Sequence, residues 1–377
     1  MIELTAPEQA LVRAALAFVQ AHVGPHAAQR ASGALDNRDA LRVAAGLGLL
    51  GIQVPTARGG LGLSFACKCR IAELMAAADF GFAMALVNTH NIAEHLARAA
   101  SPRVTDALVP ALMRGERTGC TALTEPGAGS DFSAISMRAT KVADGWLLDG
   151  VKAWIVNATH ADVVVVYAQT EPGSGARGIA AFVVDATRAG FSRGAAADIG
   201  VRSIGTGSFA LQGFRCADDE MLHAPGEAFK AALVSINGAR TYVAAMCCGM
   251  LAESLRIASE YGTTRRTFGK PLHDHQGWRL RLAEAAVDLE AARLLVDAAT
   301  LRIDAGLDAQ TEAARAKVFA TRVALQHIAA LQHAMGAEGL RDVYPLGRHL
   351  AAAQVATLVD GSTEMLLERI ARDLRTA

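Results

Sequence analysis

The chain has 377 residues with 37 basic and 37 acidic side chains, so no net field draws it to nucleic acid or an anionic membrane, and a small-molecule partner is expected. Hydrophobic residues make up 52% and aromatics only 5%, a balance rich in Ala, Leu and Val that suits long packed helices rather than an all-β barrel or sandwich. This length calls for two or three substructures built on more than one core.

Met1-Ile2-Glu3-Leu4 offers no basic start followed by an apolar run, so neither a secretion signal nor a transit peptide is read, and a soluble cytoplasmic protein is expected. Thr5-Ala6-Pro7-Glu8 is a capping box with proline in the first turn, opening a helix whose Leu11, Ala15 and Phe18 recur at helical spacing. A breaker from Pro55 to Gly62 precedes further Ala-rich helices running to about Gly119, which defines an N-terminal α-helical domain over 1–119. From Cys120 the pattern changes to short β-branched runs, Val163 to Tyr167, Ile179 to Val184 and Ser208 to Leu211, separated by Gly, Asp and Ser. These predict a small antiparallel β domain over 120–225. After Pro225-Gly226 the periodicity predicts long helices at Phe229 to Tyr261, His275 to Ala305 and Thr311 to Met335, joined by short connections into a C-terminal four-helix bundle over 226–377. The fold class is mainly α with a small β domain.

The six cysteines form no C-x-x-C pair and the eleven histidines no H-E-x-x-H, so no metal site or disulfide framework is signalled and buried, inert thiols are expected. Apolar runs such as Tyr242 to Met250 are far shorter than the roughly 20 residues of a membrane span. No strand-led G-x-G-x-x-G followed by an acidic residue is present, which argues against a nicotinamide cofactor.

The most informative stretch is Ala122 to Asp131, A-L-T-E-P-G-A-G-S-D, whose Gly127 and Gly129 permit main-chain amides to approach a ligand, although a glycine-rich turn is often no more than a turn. About thirty residues later comes Lys152-Ala153-Trp154-Ile155. The second helical half carries Arg265-Arg266-Thr267-Phe268-Gly269-Lys270-Pro271, then His275-Gln276. With Gly59-Gly60-Leu61-Gly62 near the start and Asp360-Gly361-Ser362-Thr363-Glu364 near the end, these blocks in this order resemble the acyl-CoA dehydrogenases over essentially the whole chain.

The resemblance implies FAD as cofactor and an acyl-CoA or acyl-carrier-protein thioester as substrate. An electron-transfer flavoprotein would be the acceptor, and the assembly a homo-oligomer, a dimer of dimers. It implies that Thr124 hydrogen-bonds the flavin ring, that Trp154 and Ile155 line the ring's outer side, and that Val156 stands where the family often has a Thr bonded to the flavin. Ser130 is placed at the cofactor and substrate. Arg265, Thr267, Phe268 and Gln276 look like the grip on the pyrophosphate and adenine, Arg265 because a planar guanidinium pairs two phosphate oxygens at once. Gly336 and Ser362 complete the cofactor contacts, while Arg240 and Gly361 join Ser130 on the substrate side.

The family's reaction takes a proton from the carbon beside the thioester while the next carbon gives hydride to the flavin, which requires a carboxylate against the C–H. Most members place a Glu just before the Gly-Thr of the C-terminal motif, and others place it one residue before the arginine of the bundle helix. This chain has Asp360 and Ala239 there, so Asp360 is the candidate base. Further departures are Ala351-Ala352 for an Arg-Asp pair, and His333 and Ala337 for a Gln and a Gly. Alternatives stay open. Trp154 suits a core aromatic, Arg240 a helix surface, and Asp360 a cap for the following helix, with His90 and Glu94 as other acceptors of the proton. The chemistry also has two rivals, an oxidase resembling nitroalkane oxidase with an Asp base and oxygen as acceptor, and a flavin-binding member whose chemistry has lapsed.

Overall fold

The computed structural model describes residues 2–196 and 201–374. Helices α1 (Ala6–Phe18), α2 (Ala27–Ala31), α3 (Arg38–Gly46), α4 (Phe65–Ala78), α5 (Phe80–Ala99) and α6 (Pro102–Met113) come first. The strands β1 (Gly119–Ala122), β2 (Arg138–Val142), β3 (Gly145–Ile155), β4 (Val163–Gln169), β5 (Ile179–Asp185), β6 (Phe191–Ala196), β7 (Gly207–Cys216) and β8 (Met221–His223) follow. The chain then returns to helix in α7 (Ala228–Thr264), makes a small hairpin of β9 (Arg266–Thr267) and β10 (Lys270–Pro271), and ends in α8 (Gln276–Asp304), α9 (Gln310–Ala334), α10 (Leu346–Ala356) and α11 (Thr363–Asp373). The capping box forms as read, with Glu8 accepting from the Thr5 amide at 2.9 Å and the Thr5 hydroxyl at 2.8 Å.

Two compact units emerge, one of Met1–Leu35, Phe65–Ala83 and Ile236–Ala377, the other of Asp36–Ser64 and Met84–Ser235. In the first, α9 packs against α8, α10 and α11. Its buried face is unusually small, with Ala313, Ala314, Ala316, Ala320 and Ala324 all buried, which lets neighbouring helices approach closely. One charged residue, Lys317, is buried on that same helix.

In the second unit the sheet runs β6-β7-β3-β2-β4-β5-β8, with β1 beside β4. The run Val163–Tyr167 alternates between two cores: Val163, Val165 and Tyr167 pack with Ile92, Leu96, Val109 and Leu112 from α5 and α6, while Val164 and Val166 pack with Leu148, Phe209 and Phe214 of the sheet. A strand buried on both faces reads as a continuous apolar run, which is why the β-branched signal was clear. The expected antiparallel order holds for most pairings but not all. β1 is parallel to β4 in register Gly119↔Val163, and Arg138 of β2 pairs in parallel with Gln169. Residues 123–162 separate β1 from β4, room for the crossover that parallel neighbours require. All six cysteines are buried and free, and among the described residues no helix is long and apolar enough to cross a membrane.

Candidate active site

The residues singled out from the sequence fall into two sets, one in each compact unit. In the sheet-bearing unit, Thr124 sits in a tight turn closed by reciprocal backbone bonds between Glu125 and Ala128, at 2.9 and 3.2 Å. Its carbonyl accepts from the Ala153 amide at 3.1 Å, which ties the turn to the end of β3. The Thr124 hydroxyl has no partner among the described residues, and Ser130 is exposed. A Cβ added at Gly127 would meet nothing within 4 Å, so packing within the chain does not require glycine here and the space beside the turn stays open.

Trp154 does not behave as a core aromatic. Its backbone is left-handed (φ 60°) and its side chain is 63% exposed. A non-glycine residue at positive φ is costly and persists where the surroundings over-determine it. Here Asn157, also at φ 63°, anchors the segment through its amide to the Gly119 carbonyl at 3.0 Å. Ile155 is different: its side chain belongs to the sheet core, and its carbonyl accepts from the Ala158 amide at 3.3 Å. Val156 is half-buried.

An ion pair that the sequence reading overlooked holds this corner together. Lys152, fully buried, donates to Glu125 at 2.8 Å and to the Leu123 carbonyl at 2.8 Å. Glu125 also accepts from the Ser136 amide at 2.6 Å, the Ser136 hydroxyl at 2.7 Å and the Met137 amide at 3.0 Å. Burial works against the Glu125 charge, but the Lys152 ammonium and these amides prevail and hold its carboxyl below the usual range. Burial draws Lys152 down to about 8 despite Glu125, so both are charged at neutral pH. The carbonyls of Leu123 and Thr124 are therefore held by Lys152 and its neighbour Ala153, and Trp154 follows directly. The signal was available in the sequence as a lysine at a strand position flanked by apolar residues and a glutamate inside the glycine-rich block.

The second set lies in the helical unit. Arg265, Thr267, Phe268 and Gln276 surround the β9–β10 hairpin at the start of α8. Arg265 is exposed and makes no ion pair with the described residues. Phe268, at φ 50°, is 97% exposed, and the Gln276 amide is also exposed. The Thr267 hydroxyl lies 3.2 Å from Nε2 of His275. Gly336, at φ 67°, begins the short 3-10 helix after α9. Within this unit, a free guanidinium, a presented aromatic ring and an exposed amide suit a ligand that carries phosphate groups and a planar ring.

Asp360 and Gly361 lie between α10 and α11, both left-handed at φ 55° and 104°. The N-cap of α11 is Ser362, and the Asp360 carboxylate makes no hydrogen bond with the described residues, so Asp360 is not the cap of that helix. Burial pushes its carboxyl above the ordinary range against the pull of Lys317 and Arg240. Arg240, from α7, donates through Nε to the Asp360 carbonyl at 3.0 Å and through Nη1 to Asn237 Oδ1 at 3.2 Å. It is thus no free surface arginine. Lys317 donates to the carbonyls of Val359 and Gly361. Sequence reasoning missed it, although a lone lysine among Ala313, Ala314, Ala316 and Ala320 on one helix was a visible anomaly. Of the alternative proton acceptors in the other unit, Glu94 is ion-paired with Arg98, and His90 is buried with Nδ1 3.3 Å from the Leu50 carbonyl.

The models of the acyl-CoA dehydrogenase N-terminal, middle and C-terminal domains match residues 5–116, 120–214 and 226–375. The mitochondrial short-chain specific acyl-CoA dehydrogenase of Homo sapiens is 32% identical over 367 residues, 97% of this chain and 89% of that protein. The solved structure of butyryl-CoA dehydrogenase from Megasphaera elsdenii superposes with a TM-score of 0.95 at 29% identity, covering 99% of each chain. A glutaryl-coenzyme A dehydrogenase in complex with glutaryl-CoA gives 0.95 at 30% identity, covering 100% of this chain and 97% of that one. With all three domains matched in order along nearly its whole length, this chain belongs to the acyl-CoA dehydrogenase family of oxidoreductases, which act on the CH–CH group of their donors.

Proposed function

We propose that the protein is an FAD-dependent dehydrogenase of acyl thioesters in which Asp360 is the base. The observation that carries this reading is a half-buried carboxylate with no hydrogen bond of its own among the described residues, on a left-handed turn fixed through its backbone. A carboxylate left unpartnered and raised by burial is poised to take a proton rather than to make a structural contact. The substrate's α-carbon gives its proton to Asp360. The electron pair left behind forms the new C=C bond as hydride departs from the β-carbon, so the thioester is oxidised by two electrons to the enoyl thioester. FAD supplies the hydride acceptor when bound. When bound, its ring would be held by Thr124, Trp154, Ile155 and Val156, and its diphosphate and adenine by Arg265, Thr267, Phe268, Gln276, Gly336 and Ser362. The family resemblance assigns thioester binding to Ser130, Arg240 and Gly361, and an electron-transfer flavoprotein would take up the electrons.

The test is an anaerobic screen of the purified yellow protein against a panel of acyl-CoA and acyl-carrier thioesters, led by short chains because the relatives above are named for them. Bleaching of the flavin near 1:1 with thioester is expected. Anaerobic bleaching followed in air by rapid reoxidation with one hydrogen peroxide formed per substrate makes the protein an oxidase, and no reduction by any member refutes both readings.

A homo-oligomer, as a dimer of dimers, is part of the same proposal. Leu280, Val287, Leu294 and Leu301 repeat every seven residues along α8, and each is more than half exposed, an apolar stripe that a lone chain would leave in water. If the Arg265 segment grips a cofactor shared between subunits, Arg265→Ala with Gln276→Ala lowers FAD retention through dialysis at least roughly tenfold, the loss expected from a charged hydrogen bond to phosphate. Unchanged retention and oligomer size would count against the shared site.

Val156→Thr restores a hydroxyl beside the ring, a hydrogen bond worth about 0.5 to 1.5 kcal/mol. The flavin's reduction potential or its rate of reoxidation in air is expected to shift. If both stay at the parent values, Val156 does not face the flavin.

A further inference from the structure

We propose that Lys317 is a positioning residue for the Asp360 turn: its ammonium, brought by α9 to the carbonyls on both sides of Asp360, fixes the backbone that aims the carboxylate. The inference rests on the reading of Asp360 as the base. Its foundation is the backbone of residues 359–361. The carbonyls of Val359 and Gly361 accept from Lys317 Nζ, the latter at 2.5 Å, and the carbonyl between them, of Asp360, accepts from Arg240 Nε at 3.0 Å. Three successive carbonyls are thus each held by a cation. The same three residues contain two consecutive left-handed conformations, one at a non-glycine residue. Such a conformation is kept only where its surroundings over-determine it, and here they do.

A role as ordinary packing does not account for Lys317. Its side chain is almost completely buried, on a helix where Ala313, Ala314, Ala316 and Ala320 are also buried, and no carboxylate lies within ion-pair distance among the described residues. Burying an ammonium is expensive unless its protons are used. Two go to the carbonyls of this turn, and an alanine or methionine would fill the same helix position without that cost. A cation at the C-terminal side of α10 also suits the helix dipole, but Lys317 reaches past the helix end to Gly361.

The charge has a second effect. Asp360 faces Lys317 from α9 and Arg240 from α7. Lys317 itself faces Asp360, Arg240 and Cys247, and Arg240 faces Asp360 and Arg369 of α11. Burial raises the Asp360 carboxyl, and the two cations limit the rise. Removing Lys317 therefore lets Asp360 hold its proton to higher pH, and the base form appears later in the titration.

The test compares the FAD-loaded parent, Lys317→Met, Lys317→Gln and Asp360→Asn. Readouts are the rate of flavin reduction by the best thioester across pH, and hydrogen exchange of the 359–362 backbone by mass spectrometry. In Lys317→Met, reduction is expected to slow at least roughly tenfold with FAD content unchanged, in line with the steep cost of misplacing a reacting group. The rising limb of the pH profile should move up by about one unit, and exchange should quicken at 359–362. Lys317→Gln retains a donor without the charge, so it should show the pH shift with less acceleration of exchange, and it decides the matter if the Met variant does not fold. Parental rate, pH profile and exchange in either folded variant, while Asp360→Asn has lost reduction, would overturn the inference and leave the base assignment standing. Should Asp360→Asn still reduce its flavin, the base assignment fails, and the role of Lys317 in holding the turn stands or falls on the exchange data.

Discussion

Replacing Asp360 by Asn is expected to leave a folded yellow protein that its substrate no longer reduces. Asn keeps the size and the left-handed tolerance of Asp, and the contacts that fix the turn go to backbone carbonyls, so neither the turn nor FAD should be lost. What disappears is the proton acceptor, and general-base catalysis contributes on the order of 10² to 10⁴ in rate. Anaerobic stopped-flow reduction should therefore slow by at least about a hundredfold. In the parent the same rate should climb with pH, because the ionised form does the work, and the climb should lie above the ordinary carboxylate range because burial raises the Asp360 carboxyl. Stability carries the opposite sign. A carboxyl raised on folding favours the folded state when protonated, and that advantage is lost as pH rises through its unfolded and then its folded value. At neutral pH the charge is thus a cost of folding, and Asp360→Asn should not lower Tm. A parental reduction rate in the Asn variant, with the best thioester found, would remove Asp360 from the mechanism.

The second large effect is expected from Lys152→Met. Glu125 would keep its bonds from Ser136 and Met137 but lose its counter-charge inside the sheet-bearing unit. Breaking one side of a buried pair costs about 3 to 5 kcal/mol, which at roughly 2 to 4 °C per kcal/mol is a fall in Tm of about 10 °C. The pH dependence identifies the cause. The Glu125 carboxyl lies below its usual range in the folded parent, so its contribution is present above the unfolded carboxylate value and is lost as pH falls through the lower folded value. The gap between parent and variant should narrow on acidification. Because Lys152 also holds the Leu123 carbonyl beside Thr124, FAD should dissociate more readily as well. Adding Glu125→Gln to Lys152→Met should recover part of the Tm, since no buried charge is then left alone. A Tm within about 3 °C of the parent, corresponding to about 1 kcal/mol, or a gap that does not change with pH, would show that the pair is dispensable.

Much of the architecture was open to a reader of the sequence, because it depends on local patterns. The capping box at Thr5 to Glu8, the long helical periodicities after Phe229, and the run Val163 to Tyr167 act over a few residues, and each formed where expected. Sheet order was not of that kind. That β1 lies parallel beside β4 depends on which strands meet after the intervening hairpin, a choice set by packing across both cores rather than by any one strand. The same division runs through the site. The motif blocks pointed to Thr124, Trp154, Arg265 and Asp360 through their resemblance to the acyl-CoA dehydrogenases. Only the folded chain shows that Trp154 is exposed while Ile155 beside it belongs to the core, since the strand pairing shifts register between Lys152 and Ile155 and Trp154 turns left-handed. The supporting residues were hidden most completely. Lys152 is 27 positions from Glu125, and Lys317 is 42 and 44 positions from the carbonyls it holds. Sequence alone marks each as a charge in an apolar setting. Which backbone atoms it serves is decided by the burial that removes water and leaves those carbonyls as partners for its protons.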